Sequence, residues 1–272
     1  MLKDFVINSN DKKIRTADFD PDDTDDISKK EAKDEILKLQ ERFCNLQEKL
    51  YASKKYALLI VLQGMDCSGK DGAVKNVLSG INPSGFYVTA FKQPTPEELS
   101  HDYLWRIHQK TPSLGEIVVF NRSYYEDVLV TRVHGQVDDK LARARFEEIR
   151  NFEKYLRGNN TIVLKFFLHI SKEFQKEQLL ERLEETDKNW KFSESDLKER
   201  ALWDEYQACY SDMLSRCSTK HAPWYVVPSN HRWYRDYMIL SVIVKTLEKL
   251  NLEYPTLEGN IQQLLNDVST SS

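Results

Sequence analysis

Cysteine is scarce: the 272 residues hold four, Cys44, Cys67, Cys209 and Cys217. None forms a C-x-x-C pair, and no Cys/His group has zinc-site spacing, so four reduced thiols are expected rather than a disulfide or metal framework. Long apolar runs are lacking too. The longest, Ala57–Leu62, falls far short of the ~20 residues a membrane helix needs. Met1–Asn10 has neither an apolar stretch nor a small-residue cleavage pattern, so no secretory leader is expected and the expected location is cytoplasmic, with no membrane partner. An excess of positive charge is also missing. Lys plus Arg number 39 against 43 for Asp plus Glu, giving a net charge of -4. Such a chain has no overall attraction to nucleic acid, and any anionic ligand must be held by a local basic site. No internal repeat and no linker interrupt the chain.

What is present is a strand–helix alternation. Residues 1–29 read as an acidic arm, flexible around 17–26 (ADFDPDDTDD). Ser28 can cap a helix to about Ala52 whose Ile36, Leu39, Phe43, Leu46 and Leu50 share one face. Strands are expected at Tyr56–Leu62, Phe86–Phe91, Glu116–Phe120, Thr161–Leu168 and Trp224–Val227. Helices are expected at Lys70–Leu78, Glu97–Gln109, from Ser123, at Asp138–Leu156 (ended by Gly158-Asn159-Asn160), at 171–187, at Glu194–Arg216 and at Arg232–Leu250. Residues 255–272 read as a polar tail that frays. The aromatic residues Tyr206, Tyr210, Trp233 and Tyr237 can pack the core or an interface, and the core is the preferred assignment. Alternation of this kind predicts an α/β fold with a five-stranded parallel sheet covered on both faces. One domain spans 30–254, with 171–200 as a helical lid.

Gly64-Met65-Asp66-Cys67-Ser68-Gly69-Lys70-Asp71-Gly72 fits G-x-x-x-x-G-K, directly after a buried strand and before a helix. In that context the glycines let successive backbone N–H groups point at phosphate oxygens, the helix adds its positive end, and Lys70 adds a full charge. The fold class is then P-loop kinase-like, a three-layer α/β/α sandwich. One feature is unusual. Where Ser or Thr normally follows the lysine and holds Mg²⁺, this chain has Asp71. Asp66 is the candidate to hold the metal instead, the plainer alternative being a cap within the loop. Asp71 can simply favour the helix dipole. Cys67 matters here for its small size.

Phe120-Asn121-Arg122-Ser123-Tyr124-Tyr125-Glu126-Asp127 follows the third strand. Polar groups at the carboxyl end of a parallel strand sit in the crevice where such sheets bind ligands. If the third strand neighbours the first, Asn121 and Arg122 face the loop's phosphates. Arg122 suits a clamp on a transferring phosphoryl group, and Glu126 and Asp127 can orient an acceptor or a second metal.

The loop and this cluster together resemble the polyphosphate kinase type 2 family, as do Leu99–Arg106 (LSHDYLWR), Lys188–Phe192 (KNWKF), Asp196–Arg200 (DLKER) and Thr219–Tyr225 (TKHAPWY). The resemblance covers about residues 30–250. It implies Mg²⁺-dependent, reversible transfer of a terminal phosphate between inorganic polyphosphate and a nucleotide. A second cluster beginning with Asn121 and carrying Glu126 is similar to the class III subgroup, which acts on AMP and ADP. The resemblance also implies Asp66 as metal-linked and acceptor-orienting, Lys70 and Arg122 as phosphate clamps, and Arg182 as a lid arginine. Adenine nucleotides are the implied acceptors, with guanine nucleotides as further candidates, and a homo-oligomer (dimer or tetramer) is implied. Lys75, Lys92, Arg106 and Arg132 are candidates to line a channel for the polyanion. Where relatives carry a basic run, this chain has Gln175-Lys176-Glu177-Gln178. Two rival readings stand beside this one: an ATP-dependent nucleotide or small-molecule kinase, whose loop would carry Ser or Thr at 71, and a non-catalytic polyphosphate-binding protein.

Overall fold

The computed structural model describes residues 5–7, 13–257 and 259–271. The first long element, α1 (Lys29–Ser53), starts at Ser28. The Ser28 hydroxyl accepts from the Glu31 N–H while the Glu31 carboxylate accepts the Ser28 N–H, a reciprocal cap that satisfies two otherwise orphaned donors. Then follow β1 (Ala57–Gln63), α2 (Lys70–Val77), β2 (Phe86–Ala90), α3 (Pro96–Leu99), α4 (Trp105–His108), β3 (Ile117–Asn121), α5 (Val130–Val133), α6 (Asp139–Gly158) and β4 (Thr161–His169). The chain continues with α7 (Lys172–Glu184), α8 (Glu194–Ala201), α9 (Trp203–Cys217), β5 (Trp224–Pro228), α10 (Arg232–Glu248) and α11 (Ile261–Thr270).

All five strands are parallel, in the order β2-β3-β1-β4-β5. Central β1 is buried along its whole length, which is why its sequence is continuously apolar. Its side chains alternate between layers. Leu59 and Val61 face α6 and α9, while Leu58, Ile60 and Leu62 face α1, α2 and α10. The result is the expected three-layer sandwich, and it sets β1 and β3 side by side with Leu62 opposite Asn121.

Several expected elements differ. The helix expected over 97–109 is two short ones, because the Asp102 carboxylate accepts from the Leu104 N–H and turns the chain between them. The segment after Ser123 is a 3-10 turn (Tyr124–Val128), with the Ser123 hydroxyl accepting from the Tyr125 N–H. Glu194–Arg216 breaks at Leu202. Gly158 is still helical, and Asn160 takes the left-handed turn (φ 62°). The tail at 261–270 is a helix rather than a frayed end.

The described parts of the lead-in make contact with the sheet and α9. Phe5 and Ile7 are buried, and this segment pairs antiparallel with the outer side of β5. Ile14 and Thr16 N–H groups donate to Ser215 and Ser211 of α9. The Phe19 carbonyl accepts from His169. Of the aromatic residues assigned to the core, Tyr206 and Tyr210 are buried and Trp233 and Tyr237 are partly so. Among the described residues no helix is long and apolar enough to cross a membrane.

Beneath the second cluster lies a polar network in the core. Lys165 of β4 and Glu153 of α6 pair at 2.7 Å with both side chains fully buried. Lys165 also donates to Tyr125 Oη and the Cys217 carbonyl, and the Tyr124 and Tyr125 hydroxyls donate to Glu153. Burial, then the charge of Glu153, push both tyrosine pKa values well up, so these hydroxyls stay protonated donors. The network fixes the turn from which Glu126 and Asp127 project.

Candidate active site

At the end of β1 the backbone leaves ordinary geometry, with Gly64 at φ 154°, Cys67 at 68° and Gly69 at 84°. A Cβ at Gly64 would lie 2.7 Å from both the Leu168 carbonyl and Ser68 Oγ, so only glycine fits that close approach. Gly69 caps α2, whose free N–H groups open into a cleft of about 670 Å³. Lys70 lies beneath, buried, its Nζ donating to the Gly64 carbonyl at 2.7 Å and the Met65 carbonyl at 3.1 Å. Burial and then nearby Arg122 lower its pKa, against the pull of Asp66, Glu126 and Asp71. Burial pushes the Cys67 thiol up to about 11, so it is no nucleophile near neutrality.

The second cluster meets the loop through its carboxylates. Arg122 sits in left-handed backbone (φ 62°), a conformation disfavoured for a non-glycine residue and concentrated at functional sites. Its Nη2 donates to Asp66 Oδ1 at 2.8 Å, and its Nη1 lies 3.7 Å from Glu126. Burial lowers the Arg122 pKa, but Glu126 and Asp66 outweigh it and the net change is upward. Asn121 Nδ2 donates to Asp71 Oδ1 at 2.5 Å. The unusual Asp71 therefore orients Asn121 as well as standing at the positive end of α2. Glu126 lies behind Arg122, its pKa raised by burial against the pull of Arg122 and Lys70. Asp127, next in the chain, is pushed up to about 6 by burial despite Arg145 and Arg106.

The cleft gathers Asp66, Cys67, Gly69, Lys70, Asp71 and Gly72 from the loop, Lys92 after β2, Asn121 at the end of β3 and Arg122 just after it, and Arg182 from α7. Gly64, Met65 and Ser68 form the underside of the loop rather than its lining. Three residues expected in a channel do not line the cleft. Lys75 projects from α2 into solvent. Arg106 is buried over the Phe91 ring, donates to the Lys92 carbonyl and lies 3.5 Å from Glu98. Arg132 is consumed by Asp139 and Asp212. Their place is taken by Arg232 and Arg235 of α10 and by Lys188 and Lys191 beyond α7. The cleft thus carries eight cationic side chains against three carboxylates, a local basic site in an acidic chain.

Further residues at the cleft have roles that escaped the sequence reading. Gln175, which stands where relatives carry a basic run, is fully buried. Its Nε2 donates to the Asp66 carbonyl at 3.0 Å, and its Oε1 accepts from Arg200 at 2.9 Å. Gln178 accepts from Arg232. Arg235 lies against the loop from α10, and only the tight glycine spacing at 69 and 72 hints at it.

Among the described residues no group of three His, Cys, Asp or Glu side chains forms a cage for a metal. Mg²⁺ does not need one, since it is commonly held by one or two carboxylates plus substrate phosphates. Asp66, part-exposed beside the loop and facing a cationic cleft, has the right donor chemistry, with Glu126 behind it and Asp71 nearby.

A glycine cradle at the start of a helix, a lysine beneath it and arginines converging from other elements define a P-loop protein that handles phosphate groups. The chain belongs to the polyphosphate kinase 2 family, whose profile, Polyphosphate kinase 2 (PPK2), matches residues 26–255. It is 47% identical over 249 residues to an AMP/ADP-polyphosphate phosphotransferase of Meiothermus ruber, covering 91% of this chain and 93% of that one. It is 44% identical over 239 residues to an ADP-polyphosphate phosphotransferase of Rhodopseudomonas palustris, covering 83% of each. Among solved structures, polyphosphate kinase 2 from Arthrobacter aurescens TC1 superposes with a TM-score of 0.91 at 40% identity, covering 94% of this chain and 92% of that one.

Proposed function

We propose that this protein is a polyphosphate:AMP/ADP phosphotransferase, moving the terminal phosphoryl group of inorganic polyphosphate onto AMP to give ADP and onto ADP to give ATP, reversibly and with Mg²⁺. The observation that carries this reading is the convergence of Lys70, Arg122 and Arg182 on one cleft whose floor is the glycine loop. The names of the relatives supply the donor and acceptor classes.

Phosphoryl transfer asks little covalent help of a protein; positioning and charge neutralisation do most of the work. Lys70 spends two donors on loop carbonyls, which aims the third at an incoming phosphate oxygen. An anion there also restores the charged form that burial disfavours. Arg122 offers a planar fork suited to the oxygens of the moving group, and Asp66 holds that fork in place. Mg²⁺, when bound, supplies further neutralisation of phosphate charge, with Asp66 as the carboxylate that would hold it. Residues 171–200 act as the lid. Arg182 reaches the cleft from it, tied to Asp196 at 3.0 Å, and closure excludes water that would compete as acceptor.

The test is to incubate the protein with AMP or ADP, long-chain polyphosphate and Mg²⁺, and to separate the nucleotides. New di- and triphosphates that require polyphosphate support the reading. Product from ATP alone would favour an ATP-dependent kinase, and polyphosphate binding without product would favour a non-catalytic binder.

A further inference from the structure

The first turns of α10 carry a buried guanidinium that this mechanism leaves unused. Arg235 is only 2% exposed, yet it lines the cleft. Its Nε donates to Asp236 Oδ1 at 2.8 Å, and its Nη2 lies 2.7 Å from the same oxygen. Asp236 is itself held, its other oxygen accepting from Asn76 Nδ2 of α2 at 2.7 Å. One edge of the guanidinium is thus fastened between α10 and α2. The remaining nitrogen, Nη1, has no hydrogen-bond partner among the described residues. It lies against the loop, where a Cβ at Gly69 would come within 2.0 Å of it and one at Gly72 within 3.7 Å.

Joining α10 to α2 would explain Nε, Nη2, Asp236 and Asn76. It does not explain Nη1. A guanidinium stays charged at any physiological pH, and burying it in a cleft that also holds Lys70 and Arg122 is costly unless an anion shares the space. The surroundings narrow the anion. The α10 side of the cleft offers Arg235, Arg232 one turn earlier, Asn76 and the loop glycines. Among the described residues no aromatic ring lies there to stack a base, and the one aromatic they give the lining, Phe91, follows β2. A run of cations without a base platform fits a linear chain of phosphates rather than a nucleotide.

We propose that Arg235 is a polyphosphate-binding residue, its Nη1 donating to an oxygen of the phosphate chain held at the Gly64–Lys70 loop, and that Asp236 with Asn76 is the positioning pair that aims it. This inference rests on reading the cleft as the phosphate-transfer site. It also gives a reason for glycine at 69 and 72 beyond backbone conformation, since side chains there would displace the guanidinium.

The experiment compares wild type with Arg235→Lys, Arg235→Gln, Asp236→Asn and, as a control for the site itself, Lys70→Ala. Tripolyphosphate is titrated by calorimetry, KM is measured separately for polyphosphate and for AMP, and melting temperatures are recorded. Arg235→Lys should raise the KM for polyphosphate roughly tenfold or more, the worth of a charged hydrogen bond, and weaken tripolyphosphate binding alike, with KM for AMP little changed. Asp236→Asn should do the same to a smaller degree. A purely structural role would lower the melting temperature without splitting the two KM values. Unchanged polyphosphate KM and tripolyphosphate affinity in the Arg235 variants, with Lys70→Ala impaired, would overturn this inference alone. Tripolyphosphate binding indifferent to Lys70→Ala would overturn the reading of the site. A readout on the wild type covers the case in which no Arg235 variant folds: tripolyphosphate should shift the ¹⁵N side-chain signals of Arg235 and AMP alone should not, and signals unmoved on tripolyphosphate binding would overturn the proposal.

Discussion

The two walls of the cleft are built from opposite materials. On one side the glycine loop and the Asn121–Asp127 cluster hang from β1 and β3, the fully buried middle of the sheet. Beneath the cluster lies the Lys165–Glu153–Tyr125 network, and most of its side chains stay near one place because the core leaves them none other. On the other side α7, the turn after it and α8 contribute little to the core. Of residues 172–201 only Gln175 and Leu179 are buried, while Trp190 is 78% exposed. This wall is held by polar pairs: Arg182 with Asp196, Lys188 with Glu181 and Glu185, and Gln175 with the Asp66 carbonyl. The more exposed of these, the Lys188 pairs, are worth ~1 kcal/mol or less each. The proposed function assigns the chemistry to the fixed wall and the opening to the loosely packed one, as a site alternately taking in and enclosing a polyanion requires.

That contrast can be broken or sharpened by mutation. The largest effect on stability is expected inside the fixed wall. Lys165→Met leaves Glu153 as a buried carboxylate without its cation, so it should cost ~3–5 kcal/mol in chemical denaturation. Lys165→Met combined with Glu153→Leu should recover much of that loss, and no recovery would mean the pair is not what the core is built around. Arg122→Ala should cut turnover about 10²–10³-fold while the melting temperature holds, as measured by initial rates at saturating substrates. Gln175→Leu acts across the walls. It frees the Asp66 carbonyl and takes from Arg200 one of its two acceptors, the Lys172 carbonyl remaining, and turnover should fall by roughly a factor of ten with less than ~2 kcal/mol lost in stability. A stability loss as large as that of Lys165→Met would place α7 with the fixed wall instead.

The smallest effect is in pH dependence. Burial raises Asp127 from 3.8 to about 6, with Arg145 and Arg106 opposing the shift. The folded state therefore holds the proton more tightly than the unfolded chain. The group contributes stability that is complete below 3.8 and lost as pH rises through about 6. Asp127→Asn cannot ionise, so its stability relative to wild type should improve across that window. A difference that stays flat with pH would show that Asp127 titrates normally.

Much of this was legible in the sequence, for different reasons in different places. The central strands were readable because a doubly covered parallel sheet demands continuous apolar runs, as in β1 and β4, and each observed strand overlaps the expected one closely. The loop was readable because its glycines and lysine are contiguous. The short elements at 96–108 and 124–133 were not, because single Asp and Ser side chains decide where such turns break. Lys165 left a trace, a lone cation inside Thr161–His169, but its partner comes from another helix. Gln175 and Arg235 left almost none, since nothing local in α7 or α10 says that either will lie under a loop more than a hundred residues earlier. Arg106 and Arg132 misled for the converse reason: a cation's sequence cannot show that a carboxylate, carbonyl or aromatic face has already engaged it.

The most direct test of the account is the rate of polyphosphate-dependent ADP formation from AMP by Lys70→Ala beside the wild type, with melting curves for both. The account predicts product from the wild type, an intact melting transition in the variant, and a rate lower by about a thousandfold or more. A folded Lys70→Ala protein that makes ADP at the wild-type rate would contradict it.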